Sequence, residues 1–359
     1  MLSRWSVVRG VAAVAMLFVP MVTARADDAQ ALKDRLHSAE KDTSLNGDDM
    51  QPFYLKMSVQ LFDAKGQPGE QGTVELYWKS PNRQKRVFTF PSYSATEVRD
   101  ADKTFRTADA KVPPDAVALL VDQMLHPMAK PSQIDAAQPQ TQKVTLGKAP
   151  LDCIMLARSI GGPGPVPMGL FPTYCFDSGT LVLRVTSNYG GEVILRNMTS
   201  TFQQRHVAMD VVISEKQVEA AEGKVEKLEQ REIGDADLAT DDLKLYSVIV
   251  MPMNGPPPNP NGPVKVSGGV IAGMAISKAD PVYPAMARAR HAQGTVILHA
   301  IIAKDGHIQD LQVVSSPDPD LAIAALDAVR QWRYKPYLLM GNPVDVETTI
   351  NVNFTFGGR

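Results

Sequence analysis

Residues 344–356 read Val-Asp-Val-Glu-Thr-Thr-Ile-Asn-Val-Asn-Phe-Thr-Phe. Val344, Val346, Thr348, Ile350, Val352, Phe354 and Phe356 fall on one side of an extended chain. Asp345, Glu347, Thr349, Asn351, Asn353 and Thr355 fall on the other. Period-two alternation over this length is a half-buried β-strand, because successive side chains leave the backbone in opposite directions. Only Gly357, Gly358 and Arg359 follow, so the strand is expected at a sheet edge, where unpaired N–H and C=O groups can receive another chain.

The residues before this strand supply its partners. Pro281-Val282-Tyr283-Pro284 is a rigid extended tetrapeptide, since each proline fixes its own φ and turns its predecessor away from helix. A short helix is read at 285–290. Gly294 opens a strand with Val296, Leu298, Ala300 and Ile302 on one face, and Lys304-Asp305-Gly306 turns it back into 308–315. Asp318 is a good N-cap, with Pro319 at the first helical position and Asp320 near the positive helix end. Leu321, Ala325, Ala328, Val329 and Trp332 then form one apolar stripe, anchored by Trp332 and Tyr334. Residues 264–276, apolar and glycine-interrupted, read as an extended entry strand or loop.

In this order and spacing, Pro-x-Tyr-Pro, helix, Gly-x-Val strand, Asp-Gly turn, helix, Trp332-Arg333-Tyr334-Lys335-Pro336 and alternating last strand resemble the C-terminal domain of TonB energy transducers, over residues 265–359. The resemblance implies that the domain binds the TonB box, a short segment of an outer-membrane TonB-dependent transporter, by adding it to the sheet edge. It also implies inner-membrane motor proteins as partners. Carried over residue by residue, Pro281, Val282, Tyr283 and Pro284 lie beside the bound segment. Val346, Thr348, Ile350, Val352 and Phe354 lie in the pairing strand. Val282 stands where the best-known members have glutamine, which removes a polar side-chain contact but not backbone pairing.

Apolar residues make up 44% and charged residues 21%, as in a globular protein, over a length suited to one large or two ordinary domains. The net charge of -2 and the lack of a phosphate-binding glycine motif or basic aromatic patch argue against nucleic acid. Residues 1–26 read as a secretory signal: Arg4 and Arg9, an apolar run from Val11 to Val22, then Ala24-Arg25-Ala26. The rival reading is an uncleaved inner-membrane anchor facing the periplasm. The stretch between Arg9 and Arg25 makes roughly 22 Å of helix, against the roughly 30 Å of a hydrocarbon core. An exported, periplasmic protein can keep disulfides. Cys153 and Cys175 are the two cysteines, and bridging them would stabilise by roughly 3 kcal/mol in the chain-entropy model. Two buried free thiols are the alternative.

Between the leader and the last domain, residues 27–245 read as mostly β. A helix is read at 28–42 and another after Pro113-Pro114, carrying Val117, Leu120, Val121, Met124 and Leu125 and ended by His126-Pro127. Strands are read at 53–62, 73–79, 83–90, 95–107, 151–158, 173–176, 181–187, 192–201 and 207–214. Asp177-Ser178-Gly179 and Tyr189-Gly190-Gly191 are hairpin turns, and 160–172 is a glycine- and proline-rich loop. Serial short strands imply a curved antiparallel sheet or partial barrel. This part faintly resembles the periplasmic lipoprotein-carrier fold, which makes an apolar ligand in the N-terminal domain, and a carrier role, the alternative reading. Residues 246–264 are a Pro-rich linker whose core, 251–263, reaches roughly 40 Å.

The expected fold class is therefore α+β: a large, mostly antiparallel β domain followed by a small domain with a three-stranded antiparallel sheet and two helices. No catalytic residue, metal or cofactor is expected. His37, His126, His206, His291, His299 and His307 share no metal-ligand spacing, and Gly-x-Ser-x-Gly is missing. Asp100 and Asp102, like Asp235 and Asp237, read as solvated loop carboxylates.

Overall fold

The alternating segments assemble into one large sheet, one small four-stranded sheet and two short two-stranded ribbons. The computed structural model describes residues 26–108, 110, 113–158, 160–161, 166–167, 169–188, 192–215, 218–248, 263–339 and 342–355. The leader up to residue 25, the linker over 249–262, the turn at 189–191 and Phe356 lie outside the described residues.

The chain opens with α1 (Ala26–Thr43) and continues through β1 (Phe53–Phe62), β2 (Pro68–Ser80), β3 (Arg83–Phe90), β4 (Tyr93–Asp100) and β5 (Lys103–Thr107). Then come α2 (Asp115–Leu125), α3 (Pro131–Ala136), β6 (Gln140–Leu146), β7 (Ala149–Met155), β8 (Thr173–Asp177) and β9 (Leu183–Asn188). The large sheet is completed by β10 (Glu192–Phe202), β11 (Arg205–Glu215), β12 (Val218–Gln230) and β13 (Leu243–Val248). Its strand order is β13-β5-β4-β3-β2-β1-β12-β11-β10-β9-β8-β7-β6, antiparallel throughout. Successive hairpins account for most of this order, while β12 joins the two runs by pairing with both β1 and β11.

Three features differ from the pattern read in the sequence. Residues 95–107 form two strands, because Ala101 takes a positive φ of 54° and turns the chain back on itself. The connection after β1 is shorter than 63–72, since β2 already begins at Pro68. Strands β12 and β13 and helix α3 carry no strong periodic signal, and β12 is rich in the helix formers Ala, Glu and Lys.

Helices cover one face of the sheet. Helix α2 buries Val117, Leu120, Val121, Met124 and Leu125 against Phe53, Leu55, Met57, Leu76, Trp78 and Phe88. Gly223 on β12 sets how closely it lies, since a Cβ there would stand 2.7 Å from Met57 Sδ and 3.2 Å from Leu120 Cδ2. Helices α1 and α3 pack Leu36, Ala39 and Ile134 on Ile154, Tyr174, Phe176 and Leu183. Cys153 and Cys175 are direct cross-strand partners on β7 and β8, joined by a disulfide.

The C-terminal part follows. Its elements are β14 (Val264–Lys265), α4 (Gly268–Ala272), β15 (Ala275–Ser277), α5 (Ala285–Ala289), β16 (Gly294–Ile302), β17 (Ile308–Ser315) and α6 (Pro319–Val329). After these run β18 (Arg333–Tyr334), β19 (Tyr337–Leu339), β20 (Asn342–Val344) and β21 (Val346–Phe354). Three antiparallel strands carry a short fourth in parallel, in the order β14-β21-β16-β17. Helix α4 stands where an extended entry strand or loop was read. The Asp318 side chain caps α6 by accepting from the Asp320 N–H at 2.8 Å, and it also receives Arg290 Nη2 at 2.9 Å. Trp332 Nε1 donates to the Ala279 carbonyl at 2.9 Å, tying the end of α6 to the segment before the Pro-x-Tyr-Pro motif.

The two sheets share a core. Met155 at the end of β7, with Ala157, Val166, Leu170 and Phe171 from the connection to β8, belongs to the same apolar cluster as Val296, Leu298, Leu321 and Leu326. The Gly161 N–H donates to the Ser316 carbonyl at 2.6 Å, and a Cβ on Gly161 would stand 2.6 Å from the Pro317 oxygen. Across the same joint, His307 Nε2 lies 3.2 Å from an Asp115 carboxylate oxygen, while its other ring nitrogen meets Asp305.

Two outcomes follow for this joint. Gly161→Val should lower the stability of the full chain in urea unfolding by about 1–3 kcal/mol, because backbone on the facing segment cannot yield as a side chain would. An unchanged midpoint would contradict the contact. Asp115, with Asp305, raises the His307 pKa from 6.5 to about 9. A raised pKa stabilises fully below the unfolded value and is lost as pH rises through the folded one. Stability should therefore fall as pH rises through about 9, and His307→Gln should flatten the fall.

Candidate functional site at the edge of the C-terminal sheet

The site is set by the two sides of one strand. Along β21 the side chains of Val346, Thr348, Ile350, Val352 and Phe354 are buried, between 1% and 6% exposed. Pairing with β16 runs from Ile302 opposite Val346 to Gly294 opposite Phe354. On the other side, the Val264 N–H donates to the Asp345 carbonyl at 2.7 Å and the Val266 N–H to the Glu347 carbonyl at 2.9 Å. Backbone groups of alternate residues point to opposite neighbours. Odd-numbered residues of β21 thus face away from β16, and even-numbered ones face it. The five residues named from the resemblance form the core and the β16 ladder. Asn351 and Asn353 present the backbone that a visitor could reach.

The chain itself covers the first half of this edge. β14 takes the positions beside Asp345 and Glu347, and α4 closes the next, since a Cβ on Gly268 would stand 2.3 Å from the Thr349 oxygen. Beyond that point, no described residue makes a backbone hydrogen bond to the outward groups of Asn351 or Asn353. Nothing in residues 264–268 marks this pairing in the sequence. A two-residue parallel bridge has no periodicity to read, and the Ser267-Gly268-Gly269 run was the one local sign of a break.

The Pro-x-Tyr-Pro segment stands at the open half. Tyr283 packs edge-on against Phe354, with ring centroids 5.6 Å apart, and its hydroxyl donates to the Ala292 carbonyl. The Arg288 guanidinium lies 5.5 Å from the Tyr283 ring centroid. Pro284 has φ -64° and ψ 139° and begins α5, so proline fixes the bend from extended chain into helix. Val282 is 82% exposed, with Met286 on α5 also exposed at 65%. Tyr283 is thus tied into the fold, and Val282 presents an exposed apolar side chain.

The other candidate residues sit in structural contacts. Lys79 and then Arg83 hold the Asp235 carboxyl below the usual carboxylate range, while Asp237 pairs with Arg231 at 3.0 Å. Asp100 pairs with Arg83 at 3.0 Å. His299 meets Glu347 at 3.1 Å on the face of the small sheet away from α6. Among the described residues no three His, Cys, Asp or Glu side chains are grouped to hold a metal. No described helix is long and apolar enough to cross a membrane. On the large sheet, the crevice lined by Thr43, Gln123, Met124, Arg196 and His206 has room for about one water molecule.

The fold of the N-terminal part is similar to a LolA superfamily protein from Nitrosomonas europaea, with a TM-score of 0.38 and 7% identity over 57% of this chain and 98% of that one. Nothing further rests on that likeness. Protein TonB of Vibrio cholerae is 30% identical over 112 residues, covering 29% of this chain and 46% of that protein. Protein TonB of Klebsiella pneumoniae is 33% identical over 85 residues, covering 23% of this chain and 33% of its own length. The chain thus spans less than half the length of these relatives. Residues 279–356 match the family described as Gram-negative bacterial TonB protein C-terminal.

Proposed function

We propose that this protein is a TonB-type transducer or binding protein of the periplasm, whose C-terminal sheet captures an extended segment of an outer-membrane TonB-dependent transporter. Capture is by strand addition at β21, in support of transport across the outer membrane. The observation that carries this reading is the outward backbone of Asn351 and Asn353, beside Tyr283, within the family match. The leader at 1–26, the linker at 246–264 and the division into domains at 27–245 and 265–359 belong to the same proposal, as do motor proteins of the inner membrane.

Energetics decide how much of the edge is needed. Asn351 and Asn353 offer four backbone groups, worth about 0.5–1.5 kcal/mol per hydrogen bond made. Ordering a flexible segment costs about 2–5 kcal/mol. The open half alone therefore gives little net affinity, and it serves as the landing point. Lasting capture requires β14 to give up Asp345 and Glu347 to the incoming strand, roughly doubling the ladder.

A peptide from such a transporter, titrated calorimetrically into the full chain, tests this. Asn351→Pro removes an outward N–H and should weaken binding about tenfold or more, whereas Asn351→Ala keeps the backbone and should bind like the parent. Equal binding by a folded Asn351→Pro variant would overturn strand addition at this edge.

A further inference from the structure

A polar patch interrupts the apolar, helix-facing side of the large sheet. On β3, Gln84 and Arg86 continue the row of Phe88 and Phe90. On β4, Glu97 and Arg99 continue the row of Tyr93 and Ala95, and β5 adds Thr104 and Arg106. The register sets Arg99 between Gln84 and Thr104, and Glu97 between Arg86 and Arg106. Three guanidinium groups thus gather around one carboxylate, and Gln84, Arg86, Glu97, Arg99 and Thr104 line a cleft that, as it stands, has room for about one water molecule.

That carboxylate pairs with Arg106, at 3.3 Å from its Nε. Arg86 reaches the amide oxygen of Gln84 at 3.3 Å from Nη2, and Arg99 Nη2 reaches Asn82 at 3.0 Å. Neither Arg86 nor Arg99 makes an ion pair within 4.0 Å among the described residues, and the buried Nε of Arg99 has no acceptor. Burial holds both guanidinium groups below their ordinary pKa, and the charge of Arg86 adds to this at Arg99. Across the cleft on α2, burial likewise holds the Asp122 carboxyl above its usual range, which weakens it as a counter-charge. The charges of Glu97 and Asp122 oppose the downward shift at Arg86 without an ion pair to it, and a buried guanidinium with no direct counter-charge is destabilising.

We infer that the Arg86 and Arg99 side chains part, with Gln84 and Thr104 beside them, to form a binding site for a phosphate-type oxyanion, either free or carried on a lipid headgroup. Guanidinium forks donate two parallel N–H bonds to such oxygens. A phosphate has enough oxygens to accept from both forks at once, whereas a carboxylate has only two. The site lies on the large sheet and is independent of strand addition at β21.

The test uses the full chain with inorganic phosphate, followed by calorimetry and thermal unfolding, and in parallel arms vesicles of phosphatidylglycerol or phosphatidylcholine. Phosphate should bind and raise the unfolding midpoint, and Arg86→Gln and Arg99→Gln should each weaken binding about tenfold or more. Arg83→Gln, on the opposite face of β3 and paired with Asp100, should leave binding unchanged. Binding to phosphatidylglycerol alone, lost in the same two variants, would support the site and identify a headgroup as its source. No binding in either arm, or binding unaffected by both variants, would overturn it. In phosphate-free buffer the Arg99→Gln midpoint should equal or exceed that of the parent. A clear fall would mark Arg99 as a structural group and overturn the site.

Discussion

Pairing of β16 with β21 is the interaction on which the C-terminal sheet depends. It runs unbroken from Val346 to Phe354 and fixes two things at once. Every even-numbered residue of β21 turns its backbone to β16 and its side chain to the core beneath α6. Every odd-numbered residue therefore turns its backbone outward and its side chain to the other face. The strand cannot slip by one residue, since that would exchange Val346, Ile350, Val352 and Phe354 for Asn351, Asn353 and their charged neighbours. A rigid inner ladder is what makes the outer one available in a defined register.

The edge is a compromise between protection and access. A long exposed strand rim invites aggregation, and β14 with α4 shields the part nearest Glu347 with only a few residues of the chain. A two-residue parallel bridge is weak, so the shield is displaceable. The joint between the sheets has a different character. It is apolar, threaded by Leu170 and Phe171 and closed by the Gly161–Ser316 hydrogen bond, so the large sheet is packed against the unit that carries the edge rather than merely tethered to it.

Local signals made much of this legible. Alternation announced β21, and Asp318-Pro319 announced the start of α6, because a side-chain cap and a fixed φ act within one turn. Pro113-Pro114 and the apolar stripe after it announced α2 through a fixed φ alone, with no side-chain cap. Residues whose state depends on distant partners were not legible. β12 is a strand because β1 and β11 hold it on both sides, against the helical preference of its Ala, Glu and Lys. The half-covered edge depends on where 264–268 returns, and the Arg86–Arg99 pair becomes visible only once β3 and β4 are in register.

The most direct measurement is amide hydrogen exchange, resolved by residue, along β21 in the free protein and with a transporter peptide. The account predicts protection at Ile350 and Val352 in both states. Asn351 and Asn353 should exchange freely in the absence of peptide and become protected in its presence. Protection of Asn351 and Asn353 in the free monomer, or their free exchange under saturating peptide, would contradict it.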